Sequence, residues 1–472
     1  MKRMTKTGWQ RILQSIVIIA LIFGIAACNN GTGERGTNGM PSSKPDNSSP
    51  AASNDAAADP VKPMPVPDPN KQSTVVFSMY EYDPYYEDAK KAYEQEHPNT
   101  TIDLRYVTKE FDSSGLLVEK FRTKTAAEFL NGKGADLIVM DDLPVDHYIG
   151  NDLLTNLNEW MDGDPAYRKI DYFQNLLDHV KQSDGSVYAV PLSFYLTGVL
   201  ADVDVIHDTG LQFDDSSWTW EQFGGLVQKF PLADQQKYGY FERGKTNMLW
   251  RLVTSSYSQF VDEVNRKANF ESDAFIGLLN RINQLEAEKI VTFDGKNLIN
   301  GKVYFQPSEM YSLSDYRTRL NESKLANPRL YQMPKSEGQQ DGGFYAPLAN
   351  IAINVNSNVK PEAWDFLKFL MSGKGKTSAK ELTDSSWYSV FPVSKSAFEA
   401  RALEAKKEGR INDAEIQMLS ELIGKVVNPI VMLPGEIELM LFQETPAFFS
   451  GQKSAEAVAA LLQNKATTYL NE

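Results

Sequence analysis

Residues 74–107 read TVVFSMYEYDPYYEDAKKAYEQEHPNTTIDLRYV. The run Thr74 to Met79 is apolar and partly β-branched, the composition of a buried strand. Pro84 to Glu96 follows with Tyr86, Ala89 and Tyr93 at helical spacing, and His97-Pro98 stops that helix because the residue before a proline is pushed out of the α region. Thr101 to Val107 then alternates as a second strand. Leu116 to Leu130 is again helical in period, Asn131-Gly-Lys-Gly134 ends it, and Ala135 to Met140 (ADLIVM) is a short apolar run. Strand, helix, strand, helix, strand predicts an α/β unit on a largely parallel sheet.

Downstream, Val187 to Val199 (VYAVPLSFYLTGV) is extended and aromatic, with Pro191 and Gly198 interrupting it. Thr219 and Gln222 in WTWEQF (218–223) stand at capping-box spacing, and the pattern stays mostly helical to Glu288. A strand is expected in LANIAINVN (348–356), then a helix from Pro361 with Ala363, Phe366, Leu367 and Leu370 in phase. From Lys395 onward the tail reads as nearly all helix, broken at Asn428-Pro429 and Pro434-Gly435.

The only cysteine of the 472 residues is Cys28. It follows a leader with Lys2, Arg3, Lys6 and Arg11, an apolar stretch from Ile12 to Ile25, and the small residues Ala26-Ala27. That stretch is too short to cross a bilayer as a helix and suits a signal segment. The arrangement resembles the lipobox of bacterial lipoproteins, which implies cleavage of residues 1–27, acylation of Cys28 and tethering at the extracytoplasmic face of the cell membrane. Residues 28–72 lack aromatics and are rich in Gly, Ser, Asn, Pro and Asp, a composition unable to bury enough apolar area to order itself. As a coil this tether reaches roughly 35–40 Å. Without the four leader cations the formal charge of −14 becomes −18, which argues against nucleic acid as a partner.

Several blocks together resemble the extracellular solute-binding proteins of ABC importers, family 1, the maltose- and oligosaccharide-binding group. They are the strand and helix at 74–96, ADLIVMDDLPVDHYIGNDLLTNLNEWM (135–161), YAVPLSFYLTGVLAD (188–202), WTWEQF, GKVYF (301–305), and PEAWDFLKFLMS with FPVSKSAF within 361–398. The resemblance implies two α/β lobes with a hinge and an interlobe ligand cleft. Lobe 1 is expected at 73–190 plus 335–378 and lobe 2 at 195–330 plus 380–472, with the first hinge crossing in Pro191 to Gly198. It also implies a monomer that captures a carbohydrate, delivers it to a membrane permease and needs no cofactor.

A sugar presents apolar ring faces and a rim of hydroxyls, so its site needs aromatic platforms beside hydrogen-bonding side chains. Such sites lie at the carboxyl ends of strands, which selects Tyr80 and Glu81 after the first strand and Asp141 and Asp142 after ADLIVM. Either aspartate faces ligand or caps the following turn. The crossing segment offers Tyr195. Asn247 and Trp250, and Glu309 and Tyr311, match places where the family presents polar and aromatic groups; Trp387 and Tyr388, adjacent aromatics in a loop before Phe391-Pro392 that are hard to use as packing, add a further pair, and Trp387 is the leading platform. Trp160, Trp218, Trp220 and Trp364, beside helix starts or on helical faces, are expected in the core.

Gly373-Lys-Gly-Lys-Thr377 imitates a phosphate loop but lacks its first glycine and trails a helix. His97, His147, His179 and His207 are scattered, with no HExxH or GxSxG arrangement. Two other readings stay open here: a surface glycoside hydrolase, since two carboxylates suffice for that chemistry, and a lipoprotein that binds a protein partner.

Overall fold

The computed structural model describes residues 64–109, 116–182, 184–231, 236–263, 265–374, 390–430 and 433–471. Cys28, the leader, most of the linker, Trp387 and Tyr388 lie outside the described residues. The opening strands are β1 (Ser73–Glu81), β2 (Thr100–Thr108) and β3 (Leu137–Val139), with helices Pro84–Glu96 and Leu116–Leu130 between them. β1 lies between β2 and β3 and runs parallel to both. The expected α/β unit is therefore present. Asp83 caps the first helix by accepting from the Tyr85 N–H, and Tyr85, Tyr86, Ala89 and Tyr93 form its buried face.

The remaining strands are β4 (Ala189–Asp202), β5 (Tyr238–Phe241), β6 (Val261–Asp262), β7 (Lys267–Ala268), β8 (Val291–Thr292), β9 (Val303–Met310), β10 (Pro328–Gln332), β11 (Gly343–Ile353), β12 (Phe391–Pro392) and β13 (Val426–Pro429). Apart from the β6–β7 ribbon they join one sheet whose main path is β2-β1-β3-β11-β4-β9-β5-β8. Two long antiparallel strands, β4 and β11, run through its middle. The first part of β4 pairs with nearly the whole of β11, from Ala189↔Ala352 to Thr197↔Phe344, while its second part pairs with β9 and β10. β13 adds in parallel beside the start of β11.

Pro191 and Gly198 do not interrupt β4, which is continuous over 14 residues. Each instead suits a special neighbour. Pro191, which lacks an N–H for the ladder, faces Asn350 next to Ala349, where β11 takes a left-handed turn at φ 53°. Gly198 pairs with Ser308 on one side and Gln332 on the other, and a Cβ there would lie 2.3 Å from the Tyr331 carbonyl oxygen. Only glycine lets β10 approach this closely.

Two main cores flank the crossing strands. One gathers Phe77, Tyr93, Phe173, Phe194, Phe366 and Phe391 and continues into a satellite around Phe121, Phe129 and Tyr148. The other gathers Trp218, Phe223, Tyr240, Phe260, Phe275 and Phe305. Trp160, Trp218, Trp220 and Trp364 are all buried, as their helical settings suggested. The resemblance implies that residues 380–472 group with 195–330, yet Phe398, Ala402, Ala405, Ile411, Leu419 and Ile423 pack in the first core. Packing in the second core begins again at Ile430 and includes Ile437, Leu441 and Leu462. An amphipathic helix announces that it has a buried face but not which core receives it. The tail from Lys395 also contains β13, and Tyr238–Phe241 forms β5 inside the stretch that reads as helical.

Gly198→Ala is expected to cost roughly 2–4 kcal/mol in urea unfolding, because backbone rather than a flexible side chain blocks the new methyl. Gly225→Ala, on the helix Trp220–Val227 with nothing within 4 Å of its Cβ position, is the control and should be neutral or stabilising by up to about 1 kcal/mol.

Candidate functional site

The carboxyl ends of β1 and β3 bring Tyr80, Glu81, Asp141 and Asp142 to one end of the first lobe. Tyr80 is half-buried, its ring 5.8 Å from that of Phe121. The two aspartates have different occupations. Asp141 accepts from the Ala349 N–H at 2.7 Å and from the Asn350 N–H and side-chain amide at 2.9 and 2.8 Å. It thereby braces the left-handed residue of β11, where a side chain with a Cβ is strained. Burial raises its carboxyl, and these donors oppose the rise. Asp141 is thus committed to the scaffold.

The Asp142 carboxyl accepts no hydrogen bond from a described residue. Burial, then the neighbouring Asp141, push its carboxyl up to about 6; Glu81 adds to this, and Arg122 opposes it. Arg122 was not selected from the sequence. It lies on the helix Leu116–Leu130, donates from Nε to the Asp142 carbonyl at 2.8 Å and pairs with Glu119 at 2.8 Å.

At the hinge, Tyr195 of β4 meets Tyr311, which follows β9, with ring centroids 4.7 Å apart and planes tilted by 34°. Tyr311 Oη donates to Glu309 at 2.9 Å, and the Arg319 guanidinium stands 5.7 Å from the ring centre. Arg319 is itself held by Asp315 at 3.1 Å. Both tyrosines are half-buried. Burial and the Glu309 carboxylate hold both phenols well above the ordinary tyrosine value, so they stay protonated and able to donate.

Beyond Glu309 lies a partly buried ion pair. Arg251 Nε donates to Glu242 at 2.9 Å, and Glu242 also accepts from the Tyr240 hydroxyl at 3.3 Å and the Arg243 N–H at 2.8 Å. Burial pulls the Arg251 guanidinium down, but Glu242, Tyr240 and Glu309 outweigh it and hold it above its usual value. Arg251, Trp250 and Asn247 share the helix Lys245–Ser255. Trp250 Nε1 is buried with no acceptor in bonding geometry. Its acidic neighbour is Glu438, which burial raises and the indole N–H partly lowers.

Tyr195, Glu309 and Tyr311 therefore form one constellation, joined through Arg251 to the helix that carries Asn247 and Trp250. Tyr80, Glu81 and Asp142 form another on the first lobe. The sequence gives no sign of Glu242 although it directly follows a strand, because Tyr238–Phe241 reads as part of a helical stretch. The strand-end rule that selected Asp142 would otherwise have found it. Arg251 and Arg122 carry no comparable local signal. Among the described residues no group of three or more His, Cys, Asp or Glu side chains is placed to hold a metal ion, and no described helix is long and apolar enough to cross a membrane.

Residues 78–377 match the family model described as bacterial extracellular solute-binding protein. A protein of Brucella abortus named as a binding protein is 20% identical over 361 residues, spanning 72% of this chain and 78% of that one. Among solved structures, a family 1 extracellular solute-binding protein from Alicyclobacillus acidocaldarius aligns with TM-score 0.58 and 19% identity, over 86% of this chain and 100% of that one. The sugar-binding protein MalE of Xanthomonas citri aligns with TM-score 0.58 and 15% identity, over 84% and 97%. These likenesses show the two-lobed fold with its interlobe cleft.

Asp142 supplies a pH-dependent prediction. Its raised carboxyl favours the protonated native state, so its contribution to stability is fullest below pH 4 and is lost as pH rises through about 6. Asp142→Asn should therefore stabilise the ligand-free protein by roughly 1–3 kcal/mol at pH 7.5, with about half that gain near pH 5. Denaturant unfolding at the two pH values checks both the sign and the slope.

Proposed function

This chain belongs to the bacterial extracellular solute-binding protein family, and from that premise we propose that it captures a carbohydrate, an oligosaccharide, between its lobes and delivers it to an ABC permease. The observation that carries the ligand class is the pair of half-buried tyrosines at the hinge, 4.7 Å apart, with a carboxylate and a guanidinium beside them. Apolar ring faces pack on aromatic rings, while Glu309 accepts from sugar hydroxyls and Arg251 donates to them. The sugar-binding description of the Xanthomonas citri neighbour agrees with this reading.

In this proposal Tyr195, Asn247, Trp250, Glu309 and Tyr311 hold one side of the ligand and Tyr80, Glu81 and Asp142 the other. Asp141 acts indirectly by fixing β11. Trp387 and Tyr388 complete the set as proposed platforms. Ligand that touches both sides only when the lobes are together shifts the population toward the closed form by its differential affinity. The protein works as a monomer, held outside the cell by the acylated Cys28 after removal of residues 1–27.

A thermal-shift screen over mono- and oligosaccharides tests the capture, since a ligand that binds only the native state must raise the melting temperature. The absence of any saccharide shift defeats it. For a saccharide that does bind, Tyr311→Ala and Tyr195→Ala should each weaken binding by roughly 1–3 kcal/mol, the range of a lost aromatic anchor, with the far-UV spectrum unchanged. Titration calorimetry measures both. Cys28→Ser should move the protein from the membrane fraction to the medium; retention in the membrane would count against the lipid anchor.

A further inference from the structure

One side chain of the first lobe reaches a helix of the second. Arg122 Nη1 lies 3.9 Å from the Glu436 carboxylate, and a Cβ on Gly435 would stand 3.8 Å from the same nitrogen. Gly435 and Glu436 open the 15-residue helix Gly435–Phe449, whose Ile437 and Leu441 are buried in the second core. Arg122 instead rides on Leu116–Leu130, whose Phe121 and Phe129 belong to the satellite of the first core. Through Nε the same guanidinium holds the Asp142 carbonyl at 2.8 Å.

We propose that Arg122 is a positioning residue that couples the Asp142 corner of the first lobe to contact with the second lobe. A guanidinium against a helix start meets the positive end of the helix dipole and is repelled by it. Glu436 reverses that sign. The contact is therefore attractive through Glu436, and removing that charge weakens the attraction at the lobe boundary, since Glu438 of the same turn and Glu119 beside Arg122 remain. Exposed ion pairs contribute little to overall stability. Here the pair acts on a different quantity, the balance between two lobe arrangements that lie close in free energy, where a small change moves populations several-fold. Because Arg122 also grips the Asp142 backbone, the arrangement of the lobes and the position of that carboxylate change together. The significance for ligand rests on the capture reading above; the contact itself does not.

The test measures the interlobe distance in the full-length, ligand-free protein. Spin labels at Lys124→Cys and Gln452→Cys, in a Cys28→Ser background, report the separation of the two helices' neighbourhoods by double electron–electron resonance. Glu436→Gln and Arg122→Gln should each add a population at longer distance, as should raising the salt concentration in the parent. Arg122→Lys, which keeps the charge, should restore most of the short-distance population. Unchanged distributions in both glutamine variants overturn the proposal. Should Arg122→Gln fail to fold, Glu436→Gln decides alone, since that side chain is 40% exposed and lies outside both cores. A wild-type protein that binds no saccharide but shows the distance changes refutes the capture reading and leaves the coupling standing.

Discussion

The antiparallel pairing of β4 with β11 is the constraint on which the rest of the structure depends. Both strands serve the two lobes at once: β4 pairs with β11 through its first part and with β9 and β10 through its second. A ladder of backbone hydrogen bonds is stiff along the strands and twists about them, so it fixes which residues face each other while leaving the lobes able to rotate. Tyr195 sits on this ladder opposite Ala346, and Glu309 and Tyr311 come from the adjoining edge of β9. The hinge and the central part of the candidate site are thus the same piece of backbone.

The scaffold is adapted to keep that ladder closed. Gly198 admits β10, Pro191 lies where the ladder is irregular, and Asp141 supplies acceptors to the backbone at Ala349 and Asn350. These adaptations explain why two adjacent aspartates have unlike roles. Asp141 is saturated with donors from β11, whereas the Asp142 carboxyl, one residue further on, has no described donor and is burdened by burial.

Charge around the cleft is arranged in the same economical manner. Glu242 is buried and Arg251 half-buried, and such a pair gains little net stability once desolvation is counted. Its effect is positional: with Nε held by Glu242 and the Glu309 field nearby, the guanidinium has one orientation. Preorganised donors of this kind bind hydroxyls without first losing side-chain freedom. Arg122 plays a comparable part on the first lobe, where it joins a helix, a turn and the neighbouring lobe.

Local periodicity made much of the fold legible. The helices Pro84–Glu96 and Leu116–Leu130 and the capping box at Thr219 and Gln222 match the expectation to the residue, because spacing and caps are properties of contiguous sequence. The strand-end rule likewise selected Tyr80, Glu81, Asp141 and Asp142, while Glu309 entered through the resemblance to a family. By contrast, β5, β12 and β13 are only two to four residues long, too short to show a period, and the partner of the helices at 395–423 is a matter of which core is nearest. What the sequence by itself determined was the α/β order of elements, the resemblance to a family and the residue types a sugar site requires. Only the tertiary structure decided that Asp141 braces a strand while the Asp142 carboxyl has no described donor, and that Arg122 and Arg251 lie near residues of the candidate site. The physical reason is that hydrogen-bond saturation, burial and the meeting of distant charges depend on distances in space, which neighbours in sequence do not encode.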